Sequence, residues 1–165
     1  MAAIDDPNPV MFFEHKALYR KLSGMVPDAP YSIEIGKANL VQEGEDVSII
    51  TYGMGVHWAT DLLSKHSEIS ADVLDLRSLA PLDIEAVYET VKKTGKALVL
   101  HEDSLTGGIG GELASLISEN CFEHLDGPVM RVGSLHTPVP FVAALEDNYL
   151  PIKRFEETLI KLYEY

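Results

Sequence analysis

Ala97-Leu98-Val99-Leu100-His101-Glu102-Asp103-Ser104-Leu105-Thr106-Gly107-Gly108-Ile109-Gly110-Gly111-Glu112 is the stretch that decides the fold. An apolar run of strand length ends at His101, and a glycine-rich loop follows. Ile109, Leu113, Leu116, Ile117 and Cys121 then recur on one face of a helix. Working outward, the same rhythm repeats. Val47 to Tyr52 reads as a strand closed by Gly53-Met54-Gly55, and Val56, Ala59, Leu62 and Leu63 follow at helical spacing. Val73 to Leu76 reads as a strand. Pro81-Leu82-Asp83 opens a helix with Asp83 as N-cap and Ile84, Val87, Tyr88 and Val91 as its apolar stripe. Beyond the glycines, Val129 to Val132 is the next strand and Pro138 and Pro140 start a short helical segment. Ile152, Phe155, Leu159 and Leu162 stripe the last helix. Ser32 to Leu40 reads as an edge strand. Strands and helices alternating in this way predict an α/β fold, a three-layer αβα sandwich with a mostly parallel central sheet.

The opening differs. Residues 1–23 begin with turn chemistry, Asp5-Asp6-Pro7-Asn8-Pro9, and lead into Val10-Met11-Phe12-Phe13, which reads as a buried strand. A lone strand cannot satisfy its own backbone, so it requires a sheet. Residues 24–30, with two prolines, read as a linker, and residues 31–165 as the main domain. The expectation is that the chain opens with the last strand of a preceding, truncated domain.

At 165 residues the chain is long enough to bury its own core, and 46% hydrophobic with 24% charged residues suits a globular protein. Its 26 acidic against 13 basic residues give a net charge of −13. Such a surface repels phosphate backbones, which argues against nucleic acid and anionic membranes, and it suits a basic protein partner. The apolar runs are too short to cross a bilayer, and no secretory signal opens the chain. Cys121, the lone cysteine, excludes an internal disulfide and fits a reducing cytoplasm or organelle matrix.

Candidate chemistry is sparse. Gly107, Gly108, Gly110 and Gly111, between a strand and a helix, can admit an anion to the helix N-terminus. Glu102 and Asp103 oppose that reading and no P-loop lysine follows, so close helix or subunit packing is the competing role. His101 and Glu102 stand at the carboxyl end of a strand, where α/β ligand sites lie, but neighbouring strand residues face opposite sides and cannot readily act on one atom. Arg77 can clamp an anion, or hold Asp75, Asp83 or a neighbouring domain in an ion pair. The remaining histidines show no zinc spacing, and there is no Gly-x-Ser-x-Gly elbow.

Several blocks, in order, resemble one family. Phe12-Phe13-Glu14-His15-Lys16-Ala17-Leu18-Tyr19-Arg20 resembles the strand and turn closing the pyrimidine-binding domain of 2-oxo acid dehydrogenase beta subunits. Asp75-Leu76-Arg77-Ser78-Leu79-Ala80-Pro81-Leu82-Asp83 is similar to a block of their carboxy-terminal domain that is shared with transketolase. His101-Glu102, Leu105 to Gly108, and Pro128 to Val132 through Pro140 complete the pattern. The versions here resemble the branched-chain enzymes more than the pyruvate or acetoin ones, or a transketolase. The resemblance implies a transketolase C-terminal-like fold and a parent that decarboxylates a 2-oxo acid on thiamine diphosphate and Mg²⁺, then acylates a lipoyl group. The cofactor atoms are held on other polypeptide, so no residue here inherits a catalytic or cofactor-binding role, and the chain alone is expected to be inactive. Implied partners are the alpha part, the pyrimidine-binding domain, a second beta copy and the basic subunit-binding domain of the lipoyl acyltransferase. Asp126 and the terminal carboxylate of Tyr165 fall at family docking positions. Asp6 and Asn8 match a stretch whose backbone carbonyls bind potassium in intact parents. A stand-alone nucleotide- or anion-binding module using the glycine loop is the rival from another class.

Overall fold

The computed structural model describes all 165 residues. Five strands form one sheet in the order β1-β3-β2-β4-β5, where β1 is Asn39–Gln42, β2 Val47–Thr51, β3 Ala71–Asp75, β4 Ala97–Ser104 and β5 Met130–Ser134. β1 runs antiparallel to β3 and every other pairing is parallel. The αβα sandwich follows from alternation within the strands. Val47, Ile49, Val73, Leu98 and Leu100 face one core, closed by α2 (Met54–Leu63) and by α6 (Ile152–Tyr163) through Phe155, Leu159 and Leu162. Ile50, Leu74, Ala97 and Val99 face the other, closed by α3 (Ile84–Thr94) and α4 (Gly110–Asn120) through Val87, Val91, Leu113 and Ile117. Strands buried on both faces are what a parallel sheet requires.

β2 leads through α2 to β3 on one side, and β4 leads through α4 to β5 on the other. The carboxyl ends of the adjacent strands β2 and β4 therefore flank the switch point of the topology, where α/β folds place ligands and contacts.

Some expectations need correction. Val10 to Phe13 form no strand and pair with neither edge of the sheet, and Phe12 and Phe13 are exposed. None of residues 1–36 is buried, and the ordered pieces there are one helical turn, α1 (Ala2–Asp5), and a 3-10 turn at Lys16–Arg20. The edge strand begins at Asn39, because Gly36 turns the chain with φ +80° and the preceding residues run exposed. The helix after Pro138 and Pro140 begins only at Ala143, as α5 (Ala143–Tyr149), and Ile152 lies off the buried stripe of α6.

Candidate functional site

The carboxyl edge at the switch point gathers acidic groups. Glu102 takes a 2.7 Å contact from His15 Nε2, which ties the N-terminal arm to the end of β4. Asp75, at the end of β3, accepts the Arg77 backbone N–H at 3.1 Å. Burial pushes the Asp75 carboxyl up, and the Arg77 N–H and guanidinium and then His57 oppose that shift. The Tyr52 phenol is raised by burial first and then by Asp103 and Glu102. An edge with this field disfavours a phosphate.

Arg77 itself corrects an expectation. It forms no side-chain ion pair with Asp75 or Asp83; Asp83 instead lies 3.7 Å from Lys37 and accepts the Ala38 N–H. Arg77 is exposed and sits at φ 54°, a conformation L side chains rarely adopt. Its backbone turn to Asp75, rather than a charge pair, is the contact the structure gives it.

The glycines surround a side chain of this chain rather than open space. A β-carbon at Gly108 would stand 2.7 Å from His101 Cε1, and one at Gly110 2.5 Å from His101 Nε2. Gly133 on β5 closes a third side at 2.9 Å. Gly107 has room for a side chain but φ +80°, so backbone conformation explains it. Gly111 faces the Arg131 guanidinium. His101 is wholly buried, with Nδ1 3.1 Å from the Asp103 carbonyl. As expected from strand geometry, His101 and Glu102 point to opposite sides and do not meet.

At the opposite end of the sheet the structure brings together the two residues read as docking positions. The Asp126 N–H donates to Gly95 O at 2.7 Å, and its carboxylate covers the Gly95 α-carbon. The Tyr165 ring lies over neighbouring Gly127. A shallow hollow of about 130 Å³ opens between Pro128, Met130, Lys161, Leu162 and Tyr165. Tyr165, which lines it, is exposed, and so is Asp126, two residues before Pro128.

Asp6 and Asn8 share one turn, in which the Asp6 carboxylate accepts the Asn8 N–H at 2.8 Å and its amide at 3.0 Å. No three metal-ligating side chains gather there or elsewhere. Two residues of one exposed turn do not complete a carbonyl cage by themselves, so no step is routed through a cation here. Nor do the residues suit a coenzyme diphosphate, because the glycine positions are filled by His101 and the surrounding edge is acidic.

Sequence reasoning missed a buried polar network. Asp72, 1% exposed, accepts from Gly44 N–H, from Thr90 and from Lys93 Nζ at 2.6 Å. Ser48 on β2 extends it to Thr90 at 2.7 Å and Thr94 at 2.8 Å. The hydrogen bond to Asp72 raises Lys93. The readable signal was Thr90 and Thr94, one turn apart on the inner side of α3, opposite polar breaks in two apolar strands. Every member is partnered, which marks the network as structural.

Comparison with known proteins agrees with this architecture. Residues 36–154 match the family described as Transketolase, C-terminal domain. The chain belongs to that family. It is 43% identical to the 2-oxoisovalerate dehydrogenase subunit beta of Bacillus subtilis (strain 168), over 90% of this chain and 46% of that protein. It is also 43% identical to the pyruvate dehydrogenase E1 component subunit beta of the same organism, over 100% of this chain and 51% of that protein. Among solved structures, one described as "Split gene transketolase, inactive beta4 tetramer" superposes with a TM-score of 0.67 at 29% identity, covering 85% of this chain and 45% of that one. The chain thus spans about half the length of the curated relatives it matches. No helix is long and apolar enough to cross a membrane.

Proposed function

We propose that this chain is the carboxy-terminal portion of a 2-oxo acid dehydrogenase beta subunit, and that its own work is assembly and docking rather than chemistry. The observation that carries the reading is the identity of 43% to a subunit of that kind over 90% of the chain, on a domain whose carboxyl edge is acidic and whose glycine loop is filled from within. In the assembled enzyme, thiamine diphosphate and Mg²⁺ supply the decarboxylation chemistry from the alpha part and the pyrimidine-binding domain. Oxidative decarboxylation would then pass an acyl group to lipoyl. A potassium ion at the carbonyls of Asp6 and Asn8 belongs to that larger assembly too, as does a second beta copy. Exposed Met11, Phe12 and Phe13 on the arm, with Val139 and Phe141 before α5, are apolar surface of the kind that partners cover.

Within that class we favour a branched-chain 2-oxo acid, on the Phe12 to Lys16 and His101 to Gly108 blocks. Equal identity to a pyruvate-type subunit supports pyruvate as the second reading. A bacterial cytoplasm or an organelle matrix is the compartment that fits. Asp126 and the Tyr165 carboxylate would receive the basic subunit-binding domain of the acyltransferase, with the net charge of −13 favouring encounter.

Two assays test this. Decarboxylation of 2-oxoisovalerate and pyruvate, with thiamine diphosphate and Mg²⁺, should show no turnover by the chain alone; turnover would overturn the assignment. Binding to an acyltransferase subunit-binding domain should weaken with salt and with Asp126→Lys. Binding indifferent to both would remove the docking role.

A further inference from the structure

Three buried side-chain atoms lack a hydrogen-bond partner in the protein: His15 Nδ1, Thr51 Oγ1 and His101 Nε2. All three lie along the carboxyl edge, through β2, β4 and the arm tied to Glu102. Thr51 packs beneath Gly55 in the first turn of α2. His101 is the one that is both titratable and wholly buried.

Its surroundings specify one protonation state. The Asp103 carbonyl at 3.1 Å can only accept, so Nδ1 carries the proton. Nε2 is then a lone pair, turned toward Gly110 at the start of α4, where free N–H groups make the potential positive. A second proton there would find no acceptor, and the ring cannot turn away between Gly108, Gly110 and Gly133. The charged and titratable groups around the cage come from every neighbouring element. Glu102 and Asp103 lie on β4, Arg131 on β5 and Glu112 in the first turn of α4. Tyr52 follows β2, and His136 reaches Ser104 at 3.3 Å. Burial lowers the imidazole most; the Asp103 carbonyl and carboxylate oppose this, and Arg131 adds to it.

We propose that His101 is a proton-operated lock on the β4–α4 loop. Neutral, it fills the glycine cage and holds Ser104 to Gly111 closed. Protonated, it leaves the cage, the loop opens, and the Glu102–His15 tie of the N-terminal arm loosens with it. The direction follows from linkage. An open-state histidine titrates near about 6.5 and the caged one lower, so the closed loop is favoured above about pH 6.5 and is lost as pH falls. Between those two values the open-to-closed ratio grows about tenfold per pH unit. This inference stands apart from the assembly reading, since it uses contacts within the chain alone.

The test uses the 165-residue chain. Ring ¹⁵N shifts of His101 should report the neutral Nδ1–H tautomer, with a titration below that of an unburied histidine. Protection factors for amides Leu105 to Gly111 should fall about tenfold per pH unit below about 6.5. In His101→Gln, which cannot gain a proton, they should stay level over that range. A caged ring titrating at 6.5 or above, or an equal loss of protection in H101Q, would overturn the lock. If H101Q does not fold, the ring titration of the unaltered chain decides by itself.

Discussion

Residues 1–36 and residues 37–165 are comparably rich in large apolar side chains, yet only the second segment buries any. Phe155 on α6 is 1% exposed; Phe13 on the arm is 85% exposed and Met25 99%. The difference is not in the residues but in what they can lie against. Phe155 meets a sheet face already closed by α2, whereas Val10 to Phe13 meet no strand of this chain. Apolar sequence sets what needs covering, and topology sets whether the same chain can do it.

The largest expected effect sharpens that contrast. Phe155→Ala should cost about 3–5 kcal/mol of unfolding free energy, because the core around Leu159 and Leu162 cannot close over the void. Phe13→Ala should change stability by less than about 0.5 kcal/mol. Denaturant unfolding of both variants checks the pair, and equal losses would mean that the arm is part of the folding unit. Gly110→Ala should be next, about 1–3 kcal/mol, since the new β-carbon would stand 2.5 Å from Nε2 of the caged His101 ring. Gly107→Ala meets no atom and should cost less, through backbone strain alone. Thr90→Ala should cost roughly 1–2 kcal/mol by removing one donor from buried Asp72. Thermal melts would order these three.

The smallest effect contrasts two histidines. His66 stands between Glu156 and Glu68, both at 3.0 Å, and these hydrogen bonds raise its pKa. Its contribution is therefore fully present below about pH 6.5 and fades as pH rises through the raised value. His101 has the opposite sign. A pH series on His66→Gln should lose a slight stabilisation at acid pH only; a loss confined to alkaline pH would contradict the pairing.

Much of the domain was legible in sequence because parallel strands buried on both faces leave uninterrupted apolar runs, as at Ala97 to Leu100, and helices leave a stripe, as at Val87 and Val91. The glycine loop was legible as close packing, but not the ring that fills it, because His101 and Gly133 meet only through pairing of β4 with β5. For Arg77 the sequence suggests Asp75 and Asp83 as partners within the chain, and the fold supplies neither as an ion pair. A charge flanked by acids suggests an ion pair, but at φ 54° it is the Arg77 backbone that reaches Asp75. Asp126 and Tyr165 were named separately on resemblance, and only the fold sets them side by side. Val10 to Phe13 is apolar enough for a buried strand, but composition carries no information about whether a sheet edge lies beside it.

On the proposed function, this domain assembles and docks while other polypeptide carries the coenzyme. Calorimetric titration of thiamine diphosphate with Mg²⁺ into the 165-residue chain tests it most directly. The prediction is no saturable heat up to millimolar coenzyme. A saturable isotherm of unit stoichiometry, weakened by substitutions in the Gly107 to Gly111 loop, would contradict it.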